Sequence, residues 1–389
     1  MGGLDLDTIA GVKEGGHRGT VLVPGKSEES RLYLMIAGKM SPFMPLSGKS
    51  LAAGEIELVR KWIDAGAPAG APVEVSKLNV EGTPNIQPRT AVKAQIGALA
   101  WRPDGKLLAL GLFKEVRLAD PSGKTVATLS GHIEAVRAVA FSRDGKWLAA
   151  AGGLPARQGE IKIWDVEART VLKTIQGHTD CIYAVAFSPD GKTLVTSSYD
   201  KLIKLWDPLT GREIRTLKDH IDAVYGLAFT PDGKFLLSAS ADRGVKVWNP
   251  ATGERLYTLS EPTDGLNTLA MHPSGKMVAA GGLDKTIRIW TLGERGGTLL
   301  NSLIAHEDAI LKLAFSPDGK TLVSSSADKT IKVFRASDLG EIRIFDKQPD
   351  WVVSLEFSPD GKSFAAGRFD GSLQIFDAGG LSPASLAVR

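Results

Sequence analysis

A five-residue turn recurs seven times along the chain and constrains its fold more than any other feature. Its copies read RPDGK, SRDGK, SPDGK, TPDGK, HPSGK, SPDGK and SPDGK. Their glycines stand at positions 105, 145, 191, 233, 275, 319 and 361, so the spacings are 40, 46, 42, 42, 44 and 42 residues. A period of this length indicates repeated structural units that bury a core only by packing against one another.

The turn itself has a local physical basis. Proline sets φ for a type I turn, aspartate accepts hydrogen bonds from nearby backbone amides, and glycine takes the left-handed position that follows. Short apolar or β-branched runs flank it, such as AVAF at 184–187 and TLVT at 193–196, and such runs are typical of strands. Because repeats of this length correspond to four-stranded blades, the sequence predicts an all-β, seven-bladed β-propeller over about residues 91–380.

The composition argues against several classes of partner and site. The chain of 389 residues carries 47 basic and 44 acidic side chains, a net charge of +3, so electrostatics gives no argument for nucleic acid or an anionic membrane. No apolar stretch approaches the ~20 residues of a membrane span. The single cysteine, Cys181, excludes an internal disulfide and a CxxC site. Residues 1–7 carry acids and no signal-peptide pattern, so a cytoplasmic location is expected if Met1 is the true start.

Three repeats share a polar pattern that extends beyond the turn. They read GHTD…SSYDKLIKLWD, DHID…SASADRGVKVWN and AHED…SSSADKTIKVFR. Here the chain resembles the WD-repeat family, and the resemblance implies a buried hydrogen-bond relay of histidine, serine or threonine, aspartate and tryptophan in each blade. The implied residues are His178, Thr196 or Ser198, Asp200 and Trp206; His220, Ser238 or Ser240, Asp242 and Trp248; and His306 with Asp328, where Phe334 replaces the tryptophan.

The resemblance leaves open which hydroxyl takes part, and Ser198 and Ser240 are our assignments. A recurring histidine–aspartate pair is also a candidate catalytic or metal-binding pair. We expect a structural role, because the family spacing is present in three blades and a buried polar group without a partner costs about 1–3 kcal/mol. No nucleophile–base pair, phosphate-binding loop or metal cluster in the sequence argues for an enzyme.

The other repeats depart from this pattern. The second keeps its histidine and tryptophan but has an insertion at residues 152–159, and the fifth has Pro262 where the histidine would stand. The first and seventh lack the histidine, so we expect those blades to depend on apolar packing. Because an open strand edge invites unwanted pairing, we expect residues 84–92 or 381–388 to complete the last blade.

One face of the predicted propeller carries acidic and aromatic residues at equivalent loop positions. The carboxylates could bind a basic partner or a cation near the axis, or each could cap its own loop, and loop capping is the favoured interpretation. Tyrosine and tryptophan are favoured anchors for protein partners, and each could instead pack between blades. The candidate partner face comprises Glu134, Asp180, Asp222, Asp264, Asp308, Asp350, Tyr183, Tyr225 and Trp351.

Residues 1–70 follow a helical pattern rather than a strand pattern. A helix capped by residues 27–30 is predicted, and a second is predicted over residues 51–65, ending at a glycine and a proline. We expect residues 71–90 to form a linker with a possible closing strand, and residues 381–389 to form a C-terminal tail.

The N-terminal segment also resembles a known domain. Its order of motifs is similar to that of the planctomycete-type cytochrome c domain, which implies haem c bound through a CxxCH motif, with Met44 as the distal axial ligand. This chain has no CxxCH, so residues 1–70 are interpreted as a truncated cytochrome c-like domain. We expect a CxxCH motif and a signal sequence upstream, and then an exported or periplasmic location. The matching segments are GGLDLD at 2–7, VPGKSEESRL at 23–32, MP at 44–45 and EIELVRKWIDAGAP at 55–68.

Together these features predict a monomeric propeller scaffold that binds a protein partner and is tethered to a cytochrome-like module for electron transfer. The alternative is an intracellular, haemless interaction scaffold. An enzyme that uses a propeller face is the third and least favoured interpretation.

Overall fold

The computed structural model describes residues 19–41, 51–68 and 94–378. The chain divides into two compact units, Met1–Gln87 and Pro88–Arg389. Met44 and both candidate closing strands, residues 84–92 and 381–388, lie outside the described residues. Within the described ranges, no helix combines the length and the apolar character that a membrane crossing requires.

The first unit is helical. A single 3-10 turn, Ser27–Glu29, precedes helix α1, Arg31–Ile36, and helix α2 spans Ala53–Asp64, inside the helix predicted over residues 51–65. The two helices and the preceding loop enclose a small apolar core. Its buried side chains are Leu22, Tyr33, Ile63 and Ala67.

The predicted cap at residues 27–30 is wrong in its detail. Ser30 stands directly before α1, but its side chain makes no capping hydrogen bond. Its hydroxyl instead accepts from the backbone amide of Val23 at 2.9 Å and donates to the carbonyl of Lys26 at 2.9 Å. Ser30 therefore fixes the loop that leads into the helix.

The described part of the second unit is built from strands in chain order. The first seven form one continuous sheet, in which the long strand β4 pairs with β3 along residues 125–135 and with β5 along residues 136–141. This sheet therefore consists of two four-stranded halves that share β4. Its strands are β1 Ala98–Trp101, β2 Leu108–Gly111, β3 Phe113–Ala119, β4 Thr125–Phe141, β5 Trp147–Leu154, β6 Gln158–Asp165 and β7 Thr170–Gln176.

Three antiparallel sheets of four strands follow, each from one repeat. The first contains β8 Ile182–Phe187, β9 Leu194–Ser198, β10 Ile203–Trp206 and β11 Glu213–Leu217. The second contains β12 Val224–Phe229, β13 Leu236–Ser240, β14 Val245–Trp248 and β15 Arg255–Leu259. The third contains β16 Leu266–Met271, β17 Met277–Gly282, β18 Thr286–Thr291 and β19 Leu299–Ile304.

The last two sheets contain four and three described strands. We call the seven repeated units blades 1 to 7 in chain order, with β4 shared between blades 1 and 2. The sixth blade contains β20 Ile310–Phe315, β21 Thr321–Ser326, β22 Ile331–Arg335 and β23 Glu341–Phe345. The seventh contains β24 Val352–Phe357, β25 Ser363–Arg368 and β26 Leu373–Asp377.

The repeated turn joins the first two strands of each blade. Between β8 and β9, Asp190 Oδ1 accepts from the hydroxyl of Ser188 at 2.6 Å and from the amide of Lys192 at 3.1 Å. Gly191 has a φ of +72°, a conformation that glycine adopts without steric cost. Successive turns lie side by side, Gly361 beside Pro317 and Gly105 beside Pro359. They form one surface, which we call the turn face.

The innermost strands contact one another in a cycle. They are β1, β4, β8, β12, β16, β20 and β24; each contacts the innermost strand of the next blade, and β24 contacts β1. Where the first and last blades meet, Ser354 Oγ donates to the carbonyl of Ile96 at 2.7 Å. This mostly β architecture, with repeats packed around an axis, is consistent with a β-propeller. The loops that precede the innermost strands lie opposite the turn face, on what we call the loop face.

Candidate interaction face and the polar relays beneath it

Beneath the loop face, blade 3 contains a chain of buried hydrogen bonds. His178 Nδ1 lies 2.8 Å from Asp200 Oδ2, His178 Nε2 lies 2.8 Å from Thr196 Oγ1, and Trp206 Nε1 donates to that same hydroxyl at 2.8 Å. A carboxylate only accepts, so Nδ1 carries the proton and Nε2 accepts from the hydroxyl. One histidine tautomer therefore satisfies every member of the relay.

The same geometry recurs in blades 4 and 6. His220 binds Asp242 and Ser238 at 2.7 Å each, and Trp248 Nε1 donates to Ser238 at 2.8 Å. In blade 6, His306 binds Asp328 at 2.9 Å and Ser324 at 2.7 Å, and Phe334 needs no acceptor. Both ring nitrogens of each histidine are thus hydrogen-bonded within the blade, so these rings support the fold.

The assignment of Ser198 and Ser240 to the relays is wrong. Ser198 stands at the end of its strand, where its hydroxyl donates to the carbonyl of Asp180 at 3.2 Å and accepts from the amide of Asp200 at 3.1 Å. Ser240 Oγ likewise donates to the carbonyl of Asp222, at 3.1 Å. These serines close the loops, while the hydroxyl two residues earlier lies deeper in the strand, between histidine and tryptophan.

The protonation states follow from burial and neighbouring charges. Burial raises the pKa of Asp242, but the hydrogen bond from His220 and the charge of Lys246 outweigh it and lower the pKa to about 2. Burial lowers the pKa of His220 more than its bond to Asp242 raises it. The pair therefore consists of a carboxylate and a neutral imidazole near neutral pH.

Blade 2 contains an incomplete relay that the sequence pattern missed. His132 Nδ1 lies 3.2 Å from Glu160 Oε1, so a glutamate on β6 takes the place of the turn aspartate. The strand register places Ala150 where blade 3 has Thr196. Because alanine has no hydroxyl, His132 Nε2 and Trp164 Nε1 are buried without a hydrogen-bond partner in the described part of the chain.

The insertion at residues 152–159 explains why the glutamate was missed. Instead of an irregular loop, it lengthens β5 and β6 into a hairpin in which Gly152 pairs with Glu160 and Leu154 pairs with Gln158. The short turn that supplies an aspartate in other blades is therefore absent. The longer side chain of Glu160 reaches the histidine from within the strand.

Blade 5 replaces the relay with a different set of polar contacts. Arg288 Nη1 lies 2.6 Å from Asp284 Oδ2, and Trp290 Nε1 donates to Glu261 Oε2 at 2.9 Å. Glu261 comes directly before Pro262, which stands at the histidine position. The tryptophan is thus satisfied by a glutamate from the loop, which a search for the histidine pattern does not find.

In blade 7 the expected apolar packing is present around Phe364 and Phe376, and a buried polar contact accompanies it. Arg368 is only 2% exposed, and its guanidinium donates to Gln348 Oε1 at 2.6 Å and also to Gln374 Oε1. Gln348 occupies the position of the missing histidine. In blade 1 the expected apolar packing is also present, since Val116, Leu118 and Leu129 form its buried core.

On the loop face, the six recurring acidic residues share one local contact. In each, a carboxylate oxygen accepts a hydrogen bond from the backbone amide of the next residue, at 2.7–3.2 Å. This contact holds the loop that enters the innermost strand, as the loop-capping interpretation requires. The residues are Glu134, Asp180, Asp222, Asp264, Asp308 and Asp350.

Aromatic side chains cluster beside these acids in blades 3 and 4, and an arginine from β4 joins them. The rings of Tyr183 and Tyr225 meet edge to face with centroids 4.9 Å apart, and the guanidinium of Arg137 lies 5.2 Å from the centroid of Tyr183. Tyr199, which is 50% exposed, lies 6.5 Å from the Tyr183 centroid. We call Arg137, Tyr183, Tyr199 and Tyr225 the tyrosine cluster.

A second aromatic pair lies on the loop face of blade 7. Trp351 is 43% exposed and Phe369 is 50% exposed, and their ring centroids are 6.0 Å apart. The amide of Phe369 donates to the carbonyl of Trp351 at 2.9 Å, which fixes the two loops together. Ile221 and Leu283 add exposed apolar surface to this face in blades 4 and 5.

Within the described ranges, no group of three or more histidine, cysteine, aspartate or glutamate side chains could hold a metal ion. Cys181 is 2% exposed, and burial raises the pKa of its thiol.

Two comparisons with known proteins bear on these repeats. A family model described as WD domain, G-beta repeat matches residues 123–165, 169–207, 211–249, 253–291, 297–335 and 340–377. A stretch of 81 residues is 38% identical to the Target of rapamycin complex subunit wat1 of Schizosaccharomyces pombe. That stretch covers 20% of this chain and 24% of the relative, so the chain spans about a quarter of the relative's length.

Proposed function

This chain belongs to the WD domain, G-beta repeat family, and from that premise we propose that it is a protein-interaction scaffold whose partner docks on the loop face. In this proposal the second unit closes as a seven-bladed propeller. The ring holds the loops of neighbouring blades at fixed positions, so that one partner contacts several of them. Binding residues are commonly found on loops that a rigid scaffold holds in position.

The observation that carries the proposal is the exposed aromatic surface of the loop face. Trp351, Phe369 and Tyr199 are each 43–50% exposed although they are large and apolar. Tyrosine and tryptophan are enriched among the residues that dominate binding energy at protein interfaces. Rings held against one another also lose little conformational freedom on binding, which favours affinity.

The named relative supports the same class of function. It is, by its name, a subunit of a complex, and a scaffold role for this chain agrees with that. The similarity covers too little of either protein to carry over a particular partner, so the partner of this chain is defined only by its chemistry: a protein surface with apolar side chains at its centre.

The cytochrome interpretation has less support than the haemless alternative. Neither of the two similarities concerns a cytochrome. Covalent haem c requires two thiols, whereas the sequence has the single cysteine Cys181, which is buried in the second unit. The residues present therefore do not fit covalent haem attachment, and we derive no electron-transfer step from them.

The proposal is tested by replacing the aromatic residues and measuring capture of partners by the full chain. We expect Trp351→Ala with Phe369→Ala, and separately Tyr199→Ala, to abolish capture of at least one polypeptide that the unaltered protein retains. Leu209→Ala is the matched control, since Leu209 is 66% exposed in a turn between β10 and β11 on the turn face. A capture profile that is the same in all variants would refute the loop-face assignment.

A second pair of variants separates partner binding by the acidic residues from loop capping. Asp222→Ala with Asp264→Ala removes two capping carboxylates. If capping is their role, thermal stability falls while the affinity for the captured partner is unchanged. A loss of affinity at full thermal stability would instead assign these carboxylates to the interface.

A further inference from the structure

Two charged residues break a pattern of small side chains along the innermost strands. The residue two positions before the first residue of the repeated turn is alanine in six blades and Glu356 in blade 7. The residue four positions before the turn is alanine or glycine in blades 1 to 4 and Lys312 in blade 6. The alanines at the first position are Ala100, Ala140, Ala186, Ala228, Ala270 and Ala314.

Both charged residues line the same cavity at the axis. The cavity has a volume of about 200 Å³ and is lined by the innermost strands of all seven blades. Lys312 enters it from β20 and Glu356 from the neighbouring β24. The side chain of Glu356 is open to the cavity and that of Lys312 is half-buried, so both are accessible to a molecule within it.

Neither charge has a direct partner in the surrounding protein. Among residues 94–378, no hydrogen bond or ion pair within 4.0 Å is made by the ammonium of Lys312 or the carboxylate of Glu356. The ring encloses both groups, and this enclosure raises the pKa of Glu356 to about 7 and lowers the pKa of Lys312. The attraction between the two charges opposes both pKa shifts without cancelling them, so the compensation that a buried charge requires is only partial.

We propose that the axial cavity binds a small zwitterion, such as an amino acid, whose carboxylate pairs with Lys312 and whose ammonium pairs with Glu356. A simple anion would be attracted by the lysine but repelled by the nearby glutamate. A simple cation would be attracted by the glutamate but repelled by the lysine. A molecule with both charges is attracted at both ends. The volume equals that of about seven water molecules in the liquid, which suits a ligand of about five to ten heavy atoms.

The cavity adjoins the tyrosine cluster of the loop face, because Arg137, Tyr183 and Tyr225 also line it. Lys312 and Glu356 are not among the residues replaced to test the scaffold proposal, so their variants test the zwitterion site separately.

The remaining lining is mixed: Thr268 and Ser354 add hydroxyl groups, while residues such as Ala98 and Leu269 are apolar. The apolar part gives the methylene groups of a bound amino acid a surface away from water.

The proposal is tested by calorimetric titration of the full chain with glycine, β-alanine, γ-aminobutyrate and 5-aminovalerate, alongside acetate and methylammonium. These probes vary the distance between the two charges. We expect at least one zwitterion to bind with a dissociation constant at or below about 1 mM, and we expect acetate and methylammonium to bind at least about tenfold more weakly.

The matched variants are Glu356→Ala and Lys312→Ala. Alanine stands at the Glu356 position in the six other blades and at the Lys312 position in blades 1 to 3, so these variants should keep the thermal stability of the ring. We expect each to weaken zwitterion binding at least about tenfold, as loss of one charge partner predicts. Failure of every zwitterion to bind at about 10 mM, equal binding of acetate alone, or unchanged binding in both variants would overturn the proposal.

Discussion

Replacing Ala150 with serine should repair the incomplete relay of blade 2. Ala150 is fully buried in the cluster that contains Trp164, and its position matches that of Ser238 in blade 4. A serine hydroxyl there would donate to His132 Nε2 and accept from Trp164 Nε1, as Ser238 does for His220 and Trp248 at 2.7 and 2.8 Å. Two buried groups that now lack partners would each gain one.

The magnitude follows from the two hydrogen bonds. A net contribution of about 0.5–1.5 kcal/mol for each bond predicts that Ala150→Ser raises the free energy of unfolding by about 1–3 kcal/mol. The reverse change, Ser238→Ala, leaves His220 Nε2 and Trp248 Nε1 without a partner. It should lower the free energy of unfolding by about 2–6 kcal/mol, because each orphaned group costs about 1–3 kcal/mol.

The assay is equilibrium unfolding in urea, followed by tryptophan fluorescence and far-ultraviolet circular dichroism. Ala149→Ser is the matched control: Ala149 is equally buried on the same strand but belongs to a different apolar cluster. A hydroxyl without a partner there should destabilise the protein by about 1–3 kcal/mol. If Ala150→Ser destabilises as much as Ala149→Ser, the relay argument for blade 2 is refuted.

Two further predictions concern acid and blade 7. Burial lowers the pKa of His220 and His306 from 6.5. Below that pH the unfolded chain therefore binds more protons than the folded chain, and the free energy of unfolding should fall as the pH drops. The pKa of Asp242 is lowered from 3.8 to about 2, so this carboxylate should add a further fall in stability between those two pH values. The slope of stability between about pH 6.5 and 5 should flatten in a His220→Gln, His306→Gln variant, and an unaltered slope would contradict the assignment. Arg368→Leu should lower the free energy of unfolding by about 2–4 kcal/mol, because Gln348 and Gln374 lose their buried donor, whereas Arg212→Leu on the exposed surface should change it by less than about 0.5 kcal/mol. Equal effects of the two arginine changes would contradict the buried role of Arg368.

The strands could be predicted because the repeated turn leaves little freedom. Residues such as Asp190 and Gly191 determine their own local geometry, so each copy of the motif locates two strands without reference to distant contacts. The helix over Ala53–Asp64 was predictable for a similar reason, since its apolar residues recur at the helical period. In both cases the decisive interactions are local.

The polar contacts beneath the loop face were harder to predict, because they depend on the depth of a side chain in its sheet. Thr196 and Ser198 lie on one strand and have the same chemistry, and only the position of Trp206 on the neighbouring strand selects between them. Glu160 and Arg368 substitute for absent members of the pattern from other strands. Their roles follow from proximity in space, which a one-dimensional motif does not encode.

The acidic and charged residues show the same limit. The recurrence of Asp222 and its equivalents was visible in the sequence, and so was their possible role in loop capping. The exceptional character of Lys312 and Glu356 requires knowledge that their positions face a common axis. An alignment of the seven repeats would have revealed both as outliers, but without indicating that they share a cavity.

The bond between Ser354 and Ile96 has a consequence for the order in which the chain folds. It joins residues 258 positions apart, whereas the hairpins within each blade join near neighbours. The entropic cost of closing a loop rises only slowly with the separation of its ends, so this long separation lowers the stability of the native ring only slightly. Folding rates, however, fall as contacts join residues that are farther apart in the chain. We therefore expect blades to form early and the seam between blades 1 and 7 to close last. The same seam should be the first part of the ring to open, and the place where a newly synthesised chain is exposed for longest to mispairing.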